Sequence, residues 1–231
     1  QDNEIDLIIL LMTKLNLDRR YFLGALSMGT AHLMFRNPLT ARTGQGRSPD
    51  PLQMVKLGKS GLETTLLGFG TGVKAGMRSS SLTRQDRKTS IACLRHAYDR
   101  GIRMFDTADT YGTHGMMSEA LQKMDREKIT LSSKIWYRSG QLPEPERPDA
   151  EVAVERFRRE LNSDYIDLVQ IHCMTEADWT GSMQKQMDIL EELKAKGIIR
   201  SHGVSVHSLD AMKAAADHSW VDVLHARINP Y

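Results

Sequence analysis

The sequence predicts an α/β fold, a parallel sheet wrapped by helices. Beyond residue 52, short runs rich in Ile, Leu and Val alternate with stretches of helical periodicity. Strands that read as near-continuous apolar runs are buried on both faces, which is the habit of a helix-covered parallel sheet. Four chemically capable residues, Asp106, Tyr111, Lys134 and His172, each stand at or just beyond the C-terminal end of such a run. That is the face on which parallel barrels place their chemistry. Composition agrees: 231 residues, 40% hydrophobic and 26% charged, suffice for one good-sized core. A net charge of +2, with Arg and Lys interleaved among acids, argues against a nucleic-acid partner. Two cysteines, Cys93 and Cys173, give neither a disulfide framework nor a metal-ligand spacing, so no metal is expected.

Taken in order, the folded part opens with a hairpin that turns at Lys59–Gly61, and Leu66–Thr71 forms the first core strand. Thr83–Arg100 has Ile91, Leu94, Ala97 and Tyr98 at helical spacing, with Thr83 as N-cap and Gly101 as C-cap. There follow strand 103–107, helix 115–124, strand 129–134 and helix 150–161. Strand 166–172, helix 182–196, strand 202–206, helix 209–217 and strand 221–228 complete the chain. Open doubly wound sheets share this alternation. The first strand-to-helix loop, GFGTGVKAGM, lacks a G-x-G-x-x-G opening directly into a helix, which counts against a dinucleotide-binding domain of that kind.

The stretch GIRMFDTADTYG, residues 101–112, resembles the first signature of the aldo-keto reductase family. SDYIDLVQIH, residues 163–172, is similar to the second, and LEELKAKGIIRSHGVS resembles the helix and strand beyond it. The resemblance runs from about Val55 to Tyr231. It implies a (β/α)8 TIM barrel with an N-terminal hairpin, of which about six βα units are present. It also implies that Asp106, Tyr111, Lys134 and His172 are the catalytic tetrad, and that Trp136 is a substrate-pocket aromatic beside Tyr111 and His172. Gly70, Thr71 and Gly72 match the loop that touches the cofactor, with Asp106 next to it. Ser205 matches the serine that contacts the carboxamide, while Val206 replaces its usual Asn neighbour and His225 stands where Gln is common. The cofactor implied is NADPH, with NADH also open, and the partner is a small carbonyl compound.

The residue types suit that chemistry. Reducing a carbonyl needs a hydride at carbon and a proton at oxygen. A free phenol, with a pKa near 10, is a poor general acid at neutral pH, and a neighbouring ammonium favours its ionised form. Lys134 would provide that cation, Asp106 would hold it charged, and His172 would orient the carbonyl. The hydride must come from a nicotinamide, because no side chain supplies one. Two other functions fit the same residues: a cofactor-binding protein without turnover, and a barrel lyase or aldolase with Lys134 as a Schiff base.

Residues 1–51 are expected to lie outside the barrel. DRRYFLG at 18–24, followed by a short apolar run, resembles a twin-arginine export signal and implies a periplasmic protein, and 43–51 is a Gly/Pro/Ser-rich linker. The run is too short to span a membrane. The chain begins with Gln1 and stops at Tyr231 just after an apparent strand, so 52–231 is expected to be a barrel cut at its C-terminus, with unpaired strand edges.

Overall fold

The structure is a computed structural model that describes residues 10–11 and 49–227. The export signal at Arg19 and Arg20 lies outside the described residues, as does most of the linker. Strands β2 (Met54–Lys56) and β3 (Glu63–Thr65) form the expected antiparallel hairpin. Six parallel strands then follow in sequential order: β4 (Gly68–Gly70), β5 (Met104–Asp106), β6 (Thr130–Ile135), β7 (Ile166–Met174), β8 (Ile199–Val206) and β9 (Val223–Ala226). Each neighbours the next, the order a βα barrel requires. The β9 edge is not bare: Leu10–Leu11, β1, pairs with it antiparallel.

Between strands run α1 (Arg87–Asp99), α2 (His114–Leu121), α3 (Ala150–Leu161), α4 (Trp179–Ser182), α5 (Gln184–Ala195) and α6 (Leu209–Asp217). Boundaries shift where caps decide them. α1 begins later than periodicity suggested, because Asp86 rather than Thr83 accepts the Thr89 N–H. Thr83 is instead engaged with Ser80 in the preceding turn. Arg100 is the C-cap and Gly101 the next residue, whose φ of 102° suits a glycine. The predicted helix 182–196 is α5, and an extra turn, α4, precedes it across Met183 and buries Trp179.

All six residues of β6 are buried, because both faces of the sheet are covered. The outer face packs on the helices through Phe105, Leu131, Phe157, Ile171 and Leu190, among others. The inner face holds a small cluster of Met104, Leu168 and Val223, closed from below by Leu57 of the hairpin. Lys59 N–H donates to the Asp222 carbonyl, which fixes the hairpin under β9. Polar residues therefore collect at the opposite end, where the strands terminate. Ser208 caps α6 by accepting the Ala211 N–H and donates to the Thr175 carbonyl, joining the β7 and β8 exits. Ser208→Ala is expected to cost about 1 kcal/mol in urea denaturation.

Candidate active site

Parallel pairing sets the site's register. Phe105 faces Leu131 across β5 and β6, and Asp106 faces Ser132, so the next inward position of β6 is Lys134. Lys134 Nζ lies 2.5 Å from each carboxylate oxygen of Asp106 and donates to the Thr107 carbonyl at 3.0 Å. Both side chains are 1% exposed. The ammonium also reaches Tyr111 Oη at 3.4 Å and sits 5.0 Å from that ring's centre. Burial pulls the Lys134 ammonium below its ordinary value, and the Asp106 charge opposes that pull without cancelling it.

Tyr111 ends a short 3-10 turn, Asp109–Tyr111, stopped by Gly112 in the left-handed region. A Cβ on Gly112 would lie against the Arg78 carbonyl, so only glycine permits this approach. The ring of His172 meets Tyr111 edge-on at 5.7 Å between centroids and Trp136 edge-on at 5.3 Å. His172 is 7% exposed, and its pKa is held well below the ordinary histidine value by burial first and by the Lys134 charge second. A neutral imidazole beside a buried ammonium is the result. Asp106, Tyr111, Lys134, His172 and Trp136 are thus brought together at one end of the sheet.

The expected cofactor residues are arranged around the same centre. Gly70 pairs with Asp106 across the sheet. A Cβ on Gly72 would lie 2.3 Å from Tyr111 Cζ, so this glycine gives the phenol its place. Thr71 lies between these two glycines. Its N–H and hydroxyl both engage the Asp106 carbonyl, at 3.1 and 2.9 Å, and Oγ1 also meets Thr113. Thr71 holds the strand carrying the carboxylate, and its amide is already committed. Ser205 pairs with His225 across β8 and β9, and its Oγ accepts the Cys173 N–H at 2.7 Å. Its hydroxyl proton remains available for donation. Burial lowers the His225 pKa to about 4, with Lys134 again contributing.

Three buried ring nitrogens here, Trp136 Nε1, His172 Nδ1 and His225 Nδ1, have no hydrogen-bond partner among the described residues. Buried polar atoms left unpaired are costly, so a site rich in them is shaped for a polar ligand. The set fits an amide-bearing ring: the Ser205 hydroxyl and the His225 imidazole together can offer a carboxamide a donor and an acceptor. Among the described residues no group of His, Cys, Asp and Glu forms a metal cage.

Behind Tyr111 stands an ionic scaffold absent from the sequence-based expectations. Asp109, buried, pairs with Arg156 at 2.8 Å and Arg78 at 3.7 Å. Arg156 reaches Glu160, which holds His114 Nδ1 at 2.6 Å, and His114 Nε2 meets Ser133. An acid two residues before a candidate phenol was the available signal.

His172, His225 and His202 all have depressed values in the fold, chiefly through burial. A group that binds protons more weakly when folded stabilises the fold above the unfolded value of about 6.5, and loses that stability as pH falls. Stability is therefore expected to drop from pH 7 towards pH 4, by up to about 1.4 kcal/mol per pH unit per histidine. His225→Gln should flatten this slope in urea titrations at several pH values.

Residues 66–230 match the sequence pattern described as the aldo/keto reductase family. An aldo-keto reductase of Bacillus subtilis, YhdN, is 29% identical over 168 residues, covering 70% of this chain and 49% of the relative. The methylglyoxal reductase YeaE of Escherichia coli is 37% identical over 126 residues, 52% of this chain and 39% of the relative. The holo form of the aldo-keto reductase AKR11C1 from Bacillus halodurans superposes with a TM-score of 0.56 at 29% identity, covering 70% of this chain and 52% of that one. The chain spans about half the length of the curated relatives it matches.

Proposed function

The chain belongs to the aldo/keto reductase family, and from that premise we propose that it reduces the carbonyl group of a small aldehyde or ketone to an alcohol, using NADPH or NADH. The observation that carries the reading is the Lys134 ammonium, 2.5 Å from Asp106 and 3.4 Å from the Tyr111 hydroxyl. When bound, the reduced nicotinamide supplies a hydride to the carbonyl carbon. Tyr111 Oη gives its proton to the carbonyl oxygen. Lys134 stabilises the negative charge that grows on the phenol, and Asp106 keeps the ammonium in position against the pull of its burial. His172, neutral, orients the carbonyl by hydrogen bonding. Trp136 walls the pocket and helps exclude water. Ser205 and His225 would hold the carboxamide, and Gly72 leaves room for the phenol beside it.

The methylglyoxal reductase name of the E. coli relative supports carbonyl reduction. A second E. coli relative, 24% identical over 196 residues, is named an NADH-specific methylglyoxal reductase, which keeps both cofactors in view. In the full-length protein, Tyr111→Phe is expected to lower kcat for an aldehyde by roughly 10²–10⁴-fold. Nicotinamide binding, read by protein fluorescence, should persist. Cofactor binding with no aldehyde turnover in the parent protein would replace the reductase reading with a binding role.

A further inference from the structure

The geometry points to an anion subsite at Arg138 that selects short oxo acids, aldehydes or ketones carrying a carboxylate a few bonds from the carbonyl. This deepens the carbonyl-reductase reading and rests on it.

Three observations tie Arg138 to the neighbourhood of His172 and Trp136. Cys173, directly after His172, has a φ of 62° at a break in the β7–β8 register. The left-handed conformation is strained for a residue with a Cβ, and such strain gathers at functional sites. What it achieves is visible: the Cys173 N–H donates to Ser205 Oγ, and its carbonyl accepts Arg138 Nη1 at 3.2 Å. Arg138 Cζ in turn lies 6.0 Å from the Trp136 ring centre, and that ring packs edge-on against His172. Finally, the Arg138 backbone is held by its own loop, since Arg147 Nε donates to the Arg138 carbonyl at 3.1 Å. The guanidinium is therefore set one aromatic ring from the candidate reacting centre, fixed by backbone rather than by an acid.

Its charge is weakly answered. The closest carboxylate is Glu176, 3.9 Å from Nη2, with both side chains over a third exposed. An exposed pair at that distance contributes little and is easily displaced. A guanidinium has five N–H donors in a planar fork, which matches a carboxylate. Arg138 follows β6, whereas Ser205 and His225 lie on β8 and β9, beyond β7. Trp136 supplies the apolar surface along which a short carbon chain would run between carboxylate and carbonyl.

The test uses the full-length protein with 4-oxobutanoate and butanal, aldehydes of equal chain length that differ in the carboxylate. The parent should show the lower KM for 4-oxobutanoate. Arg138→Met should cut that preference roughly tenfold or more, as expected for losing a charge-assisted pair. Arg138→Lys should keep part of it, and Glu176→Gln should increase it by removing the competing acid. Unchanged preference in Arg138→Met, or a parent that favours butanal, overturns the subsite. Calorimetric titration with 4-oxobutanoate separates this from the reductase reading. Weaker binding in Arg138→Met supports the subsite even if neither aldehyde is turned over, and equal binding overturns it.

Discussion

A lysine ammonium and an aspartate carboxylate sealed from water at the ends of two adjacent parallel strands set the terms for the rest of this protein. Removing both charges from solvent costs several kcal/mol per ion, which contact alone rarely returns. The fold offsets part of this by surrounding the pair. Lys134 Nζ reaches both Asp106 oxygens and the Thr107 carbonyl, and the Asp106 carbonyl is gripped by Thr71. Such a pair is a poor stabiliser but a good device for function, because its field is screened by protein and not by water. The Tyr111 hydroxyl lies in that field.

Holding the phenol there takes a second layer of structure. Tyr111 ends a turn whose first residue, Asp109, is anchored by Arg78 and Arg156, which come from a loop and a helix far apart in the chain. Arg78 also pairs with Glu144, and Met77 N–H donates to the Gln141 carbonyl, so the loop after β4 is tied to the loop after β6 that carries Trp136 and Arg138. Lys74, Met77, Arg78 and Gln141 in these loops all have positive φ. The two loops, beside Tyr111 and Trp136, are thus tied as one unit.

Much of this could be read from residue order, and the reasons for the remainder are physical. Strands announced themselves because burial on both faces demands apolar runs, and α3 at Ala150–Leu161 and α6 at Leu209–Asp217 fell where periodicity put them. The candidate residues Asp106, Tyr111, Lys134 and His172 were legible since each lies at or near the end of a strand or its turn. Caps were less so: Thr83 and Asp86 are both good capping types, and only geometry chose Asp86. The short α4, the four residues ahead of Met183, lay largely before the predicted start of the next helix and is too brief for periodicity to show. The bonds from the Thr71 N–H and hydroxyl to the Asp106 carbonyl could not be read from residue order, because the fold brings the two residues together. Nothing in the order of residues announced that Asp109, Arg156, Glu160 and His114 would meet, since their spacing in the chain bears no relation to their contact in space.

The most direct test of the account is a double-mutant cycle on single-turnover aldehyde reduction with Tyr111→Phe, Lys134→Met and the two combined. If ammonium and phenol act as one proton-donating unit, the double variant is about as slow as the slower single variant. Losses that multiply, each residue contributing independently of the other, would contradict it.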